Sequence, residues 1–256
     1  MHEGGGTLAI RNLVQALRRS PGDDAPSSTL FMHPDFSPQP RSEGFKIRIA
    51  RRSSVLQDAL GLLNRRYRQR GYGSQTLTLS PQRMTIVAYD GGQVVGTLTV
   101  QLDTGRGMLS DECFQGELEG LRARGARLCE FTKLATAPQA PSPATLASMF
   151  HIAFIFAHQV SGATHAVVEV NPRHVAFYTR VLGFAAHGAP ADNPRVKAPG
   201  VLLVADFLQV ARQLLARGQQ GAGEPPTFFS HRFSSAEEKG IRHRIRAALA
   251  RQGDAP

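Results

Sequence analysis

Residues 166–184 join an apolar strand directly to a short helix. The run AVVEV (166–170) stops at Asn171-Pro172, and the stretch after it carries Tyr178 and ends on Gly183-Phe184. Proline lacks an N–H and has a fixed φ, so it suits the first turn of a helix, and asparagine is a favoured residue just before that turn. A strand that passes straight into a helix predicts a domain in which strands and helices alternate.

The same alternation extends over most of the chain. Runs rich in β-branched residues predict strands, apolar residues three and four apart predict helices, and Asp90-Gly91-Gly92 predicts a tight turn. The predicted strands are 45–50, the two strands of a hairpin at 83–103, 126–136, 166–170 and 201–207; the predicted helices run from a cap at Ser53 or Ser54 to about 73, then over 111–123, 144–161, 172–184 and about 206–217. This order predicts an α/β fold with a central mixed sheet flanked by helices.

The two ends of the chain differ from this middle part. Residues 1–20 have the spacing of a short helix, and the Pro/Ser-rich stretch that follows them predicts a linker or an arm, so we assign 1–44 to an N-terminal extension. The predicted catalytic or binding domain is 45–217. Residues 218–256 predict a flexible linker and a basic helix, which starts with a capping box from Ser235 to Glu238.

The composition restricts the class of function. The two cysteines and nine scattered histidines have no zinc spacing, so we expect no metal site. No apolar run is long enough to span a membrane and no secretory signal is evident, which predicts a cytoplasmic protein, with contact at a membrane surface as an alternative. The net charge of +10 reflects either a GC-rich genome that favours arginine or a surface for an acidic partner. No nucleic-acid motif is present, so nucleic acid is not the favoured partner.

Three motifs carry a resemblance to a known family. The stretch VNPRHVAFYTRVLGF (170–184) resembles the strand and helix of GNAT acyltransferases, and CEFTKLAT (129–136) resembles the E-x-S-R-x-A strand of acyl-homoserine-lactone synthases and N-acyl amino acid synthases. Upstream, GTLTVQLD (96–103) and the segment up to Ala135 resemble the N-acyl amino acid synthases more closely. The resemblance covers about 45–210 and implies a GNAT-like fold.

This resemblance implies a reaction. It implies that a long fatty acyl group passes from the thioester of an acyl carrier protein to the α-amine of an amino acid, and that the protein acts in lipid biosynthesis. The alternatives are an acyl-homoserine-lactone synthase, a CoA-dependent N-acetyltransferase and a GNAT-like binding module without catalytic activity. Amine attack on a thioester requires a base, a donor to the oxyanion and relief of charge on the leaving sulfur.

The resemblance also assigns catalytic roles to individual residues. Glu130 is the candidate base, with a buried ion-paired glutamate as the alternative. Tyr178 is the candidate donor to the departing sulfur, with a packing role as the alternative. A bulge in the strand is expected to point the backbone N–H of Leu134 or Ala135 at the thioester oxygen.

Further residues are candidates for binding substrate. Lys133 faces away from Glu130 and Thr132 unless the bulge returns it to their side, where it could hold the substrate carboxylate. Asn171 either contacts pantetheine or caps the helix. The predicted substrate-binding set is Asp103, Thr132, Lys133, Leu134, Phe150, Phe154 and Asn171, in which the two phenylalanines either line an acyl tunnel or only pack in the core.

The donor is predicted from the stretch QAPSPA (139–144). CoA-dependent relatives carry a glycine-rich loop there, whose backbone N–H groups hold a pyrophosphate at a helix N-terminus. Here Pro141 and Pro143 supply no N–H, and Ser142 replaces the central glycine. We therefore expect no permanently bound cofactor, and acyl-phosphopantetheine on a carrier protein rather than acyl-CoA as the donor. Arg173 and His174 are the candidate contacts to that carrier protein.

Overall fold

The computed structural model of the protein describes residues 28–36, 44–139, 141–218, 231 and 233–253. Within these residues the chain forms one mixed sheet with helices on both faces, as predicted. The helix predicted at 1–20 and most of the linker predicted after residue 218 lie outside the described residues. In the part that is described, no helix is long and apolar enough to cross a membrane.

The sheet is antiparallel except at one pair of strands. The strands are β1 (Thr29–Met32), β2 (Phe45–Ile49), β3 (Arg83–Asp90), β4 (Gln93–Leu102), β5 (Leu128–Thr136), β6 (His165–Val170), β7 (Ala185–Ala186), β8 (Ala191–Asn193) and β9 (Ala198–Asp206). Their order in the sheet is β1-β2-β3-β4-β5-β6-β9-β7, with β8 paired to β9, and among these strands only β5 and β6 run parallel. The predicted turn at Gly91-Gly92 joins β3 to β4.

Helices cover the two faces of the sheet unequally. The helices are α1 (Ser53–Arg68), α2 (Asp111–Ala123), α3 (Pro143–Phe154), α4 (Val175–Leu182), α5 (Phe207–Gly218) and α6 (Ser235–Gly253). Helices α1 and α2 pack on one face, in two separate apolar clusters. The larger apolar cluster, on the opposite face, contains buried residues of α3, α4 and α6.

Two segments outside residues 45–217 belong to this same core. Strand β1 lies in the stretch predicted to be a linker or arm, and its Leu30 is fully buried against the sheet. Helix α6 buries Ile241 and Ile245, and Arg244 Nε donates to the carbonyl of Leu30 at 2.8 Å. The C-terminal helix therefore packs on the domain formed by residues 45–217 and holds the edge strand β1.

The predicted helix caps are displaced by one residue. Ser53 is the first residue of α1, Arg52 takes the cap position, and no side chain caps the helix there. At α6 the capping box is formed by Ser234 and Glu237 rather than by Ser235 and Glu238, with the Ser234 N–H donating to Glu237 Oε2 at 2.8 Å. At α1 neither candidate serine caps the helix, and at α6 the serine one position earlier does, so the backbone and not the residue type decides where each helix begins.

The helix predicted at 144–161 changes its geometry after Phe154. Residues Ile155–Val160 form a π-helical turn, in which the Ser161 N–H donates to the carbonyl of Phe156 at 3.0 Å, five residues back. A π-turn rotates the side chains that follow it and is often found at functional sites. It places His158 and Gln159 beside a cavity that is described below.

Candidate active site

The site lies where the parallel pair β5–β6 comes apart. The two strands are paired only from Leu128↔His165 to Glu130↔Val167. Beyond that point both strands line a cleft of about 730 Å³, together with Asn171 and Tyr178 from the junction after β6. Because β6 has diverged, backbone groups on that edge of β5 have no strand to pair with and face the cleft.

A β-bulge interrupts β5 at the same level. Thr99 of β4 is opposite Thr132, but Thr97 is opposite Ala135, so β5 carries one extra residue. Lys133 has a φ of 55°, in the left-handed region. The bulge confirms the expected break in the ladder and leaves backbone groups of 133–134 without their usual partner. Donation from Leu134 or Ala135 to an oxyanion stays a prediction, and both residues line the cleft.

Glu130 is buried in the cleft, and its carboxylate is hydrogen-bonded to the loop at residues 109–110. Its carboxylate accepts hydrogen bonds from Leu109 N at 2.8 Å, Ser110 N at 3.0 Å and Ser110 Oγ at 2.8 Å. Burial raises the pKa of Glu130, and these hydrogen bonds oppose that shift. A carboxylate has about four lone-pair positions, so three donors leave room for one more, from water or from an amine.

Tyr178 is held by aromatic rings, while its hydroxyl is available. The ring makes edge contacts with Phe177 at 5.3 Å, Phe184 at 5.6 Å and Phe150 at 6.2 Å. No hydrogen bond joins the hydroxyl to any described residue, and the side chain lines the cleft. Burial raises the pKa of Tyr178 far above its ordinary value, so the hydroxyl stays protonated. The residue is therefore placed to act as a donor.

Lys133 lies on the cleft side of β5, as expected if a bulge is present. Its Nζ donates to the carbonyl of Thr76. Burial, and then the nearby Arg83, lower the pKa of Lys133. Thr132 lines the cleft next to it. The two residues share a wall with Glu130, and contact with a substrate stays a prediction.

Arg70 and His174 line the mouth of the cleft next to Asn171, and Arg173 lies against His174. Asn171 Oδ1 accepts from Arg173 N at 3.3 Å, so the predicted capping role is confirmed. Burial, and then Arg70 and Arg173, lower the pKa of His174. Among the described residues, no carboxylate forms an ion pair with Arg70, Arg173 or His174. Two arginines beside a neutral histidine, without a carboxylate paired to them, are suited to an anion that comes from outside.

The N-terminus of helix α3 is capped by the side chain of Ser142. Ser142 Oγ accepts from the Thr145 N–H at 3.1 Å and lies 2.9 Å from Thr145 Oγ1. The Leu146 N–H donates to the carbonyl of Ser142, and Pro143 has no N–H to offer. This leaves Ala144 as the donor in the first turn of α3 that a ligand could still use.

Three of the predicted substrate-binding residues, Asp103, Phe150 and Phe154, lie away from the cleft. Asp103 binds Arg122, with Nε–Oδ2 at 2.6 Å, and its other oxygen accepts from Gly105 N. Phe154 lines a second, mostly apolar cavity of about 550 Å³, on the opposite face of the sheet, which Phe150 also lines. Phe131 of β5 lines both the cleft and this cavity, so it separates them.

A polar cluster in the cleft was not predicted from the sequence. Glu169 of β6 accepts from Asn193 Nδ2 and, at 2.9 Å, from Arg195 Nη2. Arg195 Nη1 also donates to the carbonyl of Leu109 at 2.8 Å, beside the loop that Glu130 holds. Burial raises the pKa of Glu169. The signal in the sequence was one glutamate inside the apolar run AVVEV.

The described residues contain no group of three or more histidine, cysteine, aspartate or glutamate side chains that could hold a metal ion.

The chain is similar to one family of known activity. The profile of the N-acyl amino acid synthase family FeeM matches residues 58–206. The solved structure of FeeM, an N-acyl amino acid synthase from uncultured soil microbes, is 25% identical, with a TM-score of 0.61 over 68% of this chain and 97% of that chain. No curated protein sequence matches this chain.

A more distant solved structure shares the fold. A candidate arylalkylamine N-acetyltransferase of the yellow fever mosquito is 11% identical, with a TM-score of 0.50 over 70% of this chain and 95% of that chain. An acetyltransferase of the GNAT family from Streptococcus pneumoniae is 14% identical, with a TM-score of 0.43 over 63% of this chain and 98% of that chain.

Proposed function

Since the chain belongs to the N-acyl amino acid synthase family FeeM, and is therefore an acyltransferase of the GNAT superfamily, we propose that it moves a long fatty acyl group from an acyl carrier protein to the α-amine of an amino acid. The acyl group arrives as a thioester of phosphopantetheine. The product is an N-acyl amino acid, formed when the amine displaces the thiolate.

The observation that supports the carrier protein as donor is the N-terminus of α3. A pyrophosphate needs several free backbone N–H groups there. Pro141 and Pro143 lack an N–H, and Ser142 occupies that of Thr145 with its own hydroxyl. Phosphopantetheine on a carrier protein has one phosphodiester and no pyrophosphate, so it does not need this cradle.

The cations at the mouth of the cleft support the same donor. Arg70, Arg173 and His174 lie close enough for the two arginines to lower the pKa of the histidine. A single phosphodiester offers the negative charge that such a cluster favours. Carrier proteins are acidic, and the net charge of +10 on this chain favours their approach.

The apolar cavity behind Phe131 fits the acyl chain. Its volume of about 550 Å³ lies within the roughly 300–1,000 Å³ that is usual for ligand sites. Phe150 and Phe154 line it, as the tunnel interpretation of these residues requires. A thioester placed at the bulge of β5 can direct its alkyl chain past Phe131 into this cavity.

The chemistry follows from three groups around the thioester. Glu130, directly or through water, accepts a proton from the ammonium group of the amino acid, for which its carboxylate has one free acceptor position. A backbone N–H at the bulge stabilises the oxyanion. The hydroxyl of Tyr178 donates to the sulfur as the thiolate leaves.

The test compares two donors with the same acyl group. The purified protein is given tetradecanoyl carrier protein or tetradecanoyl-CoA, each with a mixture of amino acids, and the products are identified by mass spectrometry. We expect N-tetradecanoyl amino acids, formed with the higher kcat/KM from the carrier protein. Equal or better use of the CoA thioester would contradict the donor assignment, and the absence of any N-acyl amino acid would contradict the reaction.

A pair of arginine variants makes this test specific. Arg173→Ala removes the arginine whose Nε donates to Nε2 of His174, a residue of the cleft, at 3.3 Å, and we expect the KM for the carrier-protein donor to rise about two- to fivefold, the usual value of an exposed charge contact. Arg180→Ala removes an exposed arginine of helix α4 that neither lines the cleft nor hydrogen-bonds His174, and it serves as the control. An equal effect of both variants would indicate a general charge effect rather than a site.

A further inference from the structure

Arg195 joins three parts of the fold around the cleft. It lies between β8 and β9, and its Nη1 donates to the carbonyl of Leu109 at 2.8 Å. Its Nη2 donates to Glu169 Oε2 at 2.9 Å, and its Nε lies 3.2 Å from Glu112 Oε2. Because the guanidinium group is a planar fork of donors, three partners on its three nitrogens fix its position.

The peptide group between Leu109 and Ser110 connects Arg195 to Glu130. The carbonyl of this group accepts from Arg195, and its N–H, which belongs to Ser110, donates to Glu130 Oε1 at 3.0 Å. The oxygen and the hydrogen of a trans peptide lie in one plane and point in opposite directions. A bond that holds the oxygen therefore fixes the direction in which the N–H donates, and it also polarises the group and strengthens that donation.

The other contacts of this peptide group are weaker. The N–H of Glu112 also approaches the carbonyl of Leu109, but at 3.4 Å, which is longer than the usual range of a hydrogen bond. The side chain of Leu109 is exposed, so its packing contributes little to the position of the loop. Among the described residues, Arg195 therefore makes the shortest bond to this carbonyl.

The partner of Arg195 on the opposite side is firmly placed. Glu169 lies on β6, two residues beyond Val167, where the pairing with β5 ends. Its side chain is only 8% exposed, and its Oε1 accepts from Nδ2 of the buried Asn193. Arg195 thus joins the loop that is bound to Glu130 to strand β6, at the level where β5 and β6 have come apart.

We propose that Arg195 is a positioning residue for the general base: it ties the peptide group between Leu109 and Ser110 to β6, and so keeps the donors of this loop on the Glu130 carboxylate. The proposal rests on the proposed function for the role of Glu130 as base. Arg195 transfers no proton itself and acts through the peptide group that it holds.

This arrangement has a consequence for the protonation of Glu130. Burial raises the pKa of Glu130, and the hydrogen bonds from Ser110 and Leu109, followed by the charge of Arg195, oppose that rise. Loss of Arg195 weakens these opposing effects, so the pKa rises further and less carboxylate is ready to act as base at neutral pH. Among the described residues, Glu130 also interacts with Lys133 and with the Cys129 thiol, whose own pKa is raised by burial. Both groups are the same in every variant below.

The pH profile of kcat/KM in the transfer assay tests the proposal. Arg195→Met keeps a long side chain without donors, and we expect its acidic limb to move to higher pH. At neutral pH its kcat/KM should be about tenfold below the wild type, the ratio given by loss of one hydrogen bond to a charged group, with most of the rate recovered at alkaline pH. Titration of the substrate amine contributes equally to every variant. Arg195→Lys keeps the charge, but a single ammonium group lacks the fork that reaches Leu109 and Glu169 together, so it should restore the limb only in part.

NMR of the glutamate carboxyl groups tests the same tie without catalysis. Protein with isotope-labelled glutamate carboxyl groups is titrated with acid, and the signal of Glu130 is identified by its absence from Glu130→Gln. We expect this signal to titrate at higher pH in Arg195→Met than in the wild type. Glu112→Gln is the matched control, because it removes the charge opposite Nε of Arg195 and keeps the contacts to Leu109 and Glu169. It should move neither the signal nor the acidic limb to higher pH.

The outcomes separate this inference from the proposed function. Wild-type midpoints in Arg195→Met overturn the inference, and so does an equal shift in Glu112→Gln. Full restoration by Arg195→Lys also overturns it, because charge alone would then suffice. Thermal unfolding verifies that each variant is folded, and Arg195→Gln replaces the methionine variant in both assays if that variant does not fold. Absence of any N-acyl amino acid from the wild type overturns the proposed function, while the titration of the Glu130 signal still decides whether Arg195 holds this carboxylate.

Discussion

Replacing Tyr178 by phenylalanine separates structure from chemistry in this site. The substitution keeps the ring and its edge contacts with Phe150, Phe177 and Phe184. It removes a hydroxyl that no described residue hydrogen-bonds. No internal bond is lost and no buried partner is left unpaired, so we expect the free energy of unfolding to change by less than about 0.5 kcal/mol.

The same change should have a large effect on the rate. A side chain that donates a proton in the transition state contributes about 100-fold or more, which corresponds to about 2.7 kcal/mol of activation free energy. We expect kcat and kcat/KM of Tyr178→Phe to fall by about this factor together, because the bond to sulfur is made only as the thiolate leaves. Initial rates with a carrier-protein donor measure the rate, and urea or thermal unfolding measures the stability.

A control and a pH profile sharpen this prediction. Tyr67→Phe removes another hydroxyl of the same cleft, and we expect kcat close to that of the wild type. Because burial raises the pKa of Tyr178, the wild-type rate should show no fall through loss of its proton at neutral or moderately alkaline pH. Wild-type turnover in Tyr178→Phe, or a loss of rate that parallels a loss of stability, would refute the role as donor.

Two more predictions concern buried charge. Glu130→Gln presents one oxygen where the donors of residues 109 and 110 now meet two, so we expect the free energy of unfolding to fall by about 1–3 kcal/mol. Because the pKa of Glu130 is raised, the pH profile of kcat/KM should lose an acidic limb that lies above the ordinary glutamate pKa. An undiminished kcat would exclude Glu130 as the base. Burial alone would raise the pKa of Asp111, but the hydrogen bonds from Arg122 and Met108 outweigh it, and the pKa is lowered. The pairing with Arg122 therefore stabilises the fold at pH values above the pKa of unfolded aspartate. This stabilisation is lost as the pH falls through the lower pKa of the folded state. Arg122→Met should therefore cost about 2 kcal/mol in urea unfolding at neutral pH and less near about pH 3, and a difference that does not depend on pH would contradict this account.

Local signals predicted most of the fold. The hairpin around Gly91-Gly92 and helix α2 (Asp111–Ala123) have the bounds expected from turn residues and helical spacing. Strands β1, β7 and β8 were not predicted, because each has four residues or fewer and is defined by its partner rather than by its own pattern. The π-turn also escaped prediction, since an apolar run looks the same in either kind of helix.

The sequence predicted only those site residues that lie on strand β5, on helix α4 or in the short turn that leads into this helix. Glu130, Lys133 and Tyr178 line one cleft, as their motifs implied. Asp103 lies elsewhere because Arg122, nineteen residues away along the chain, is within reach of it in the fold. Glu169 and Arg195 were missed for the same reason, since the segment with Arg195 comes beside β6 only through the pairing of β9.

The position of the bulge relative to the strand separation suits this place in the sheet to the thioester of the proposed donor. β5 loses regular pairing with β4 at 133–134 and loses β6 altogether after Glu130. Backbone groups left without partners in a water-poor cleft cost about 1–3 kcal/mol each, so the sheet tolerates them where a ligand meets them. Cations lie at the open side of this gap and an apolar cavity lies behind Phe131. A donor with its anionic group outside, its carbonyl at the bulge and its alkyl chain behind the sheet satisfies all three regions at once, whereas an acetyl group would leave the cavity empty.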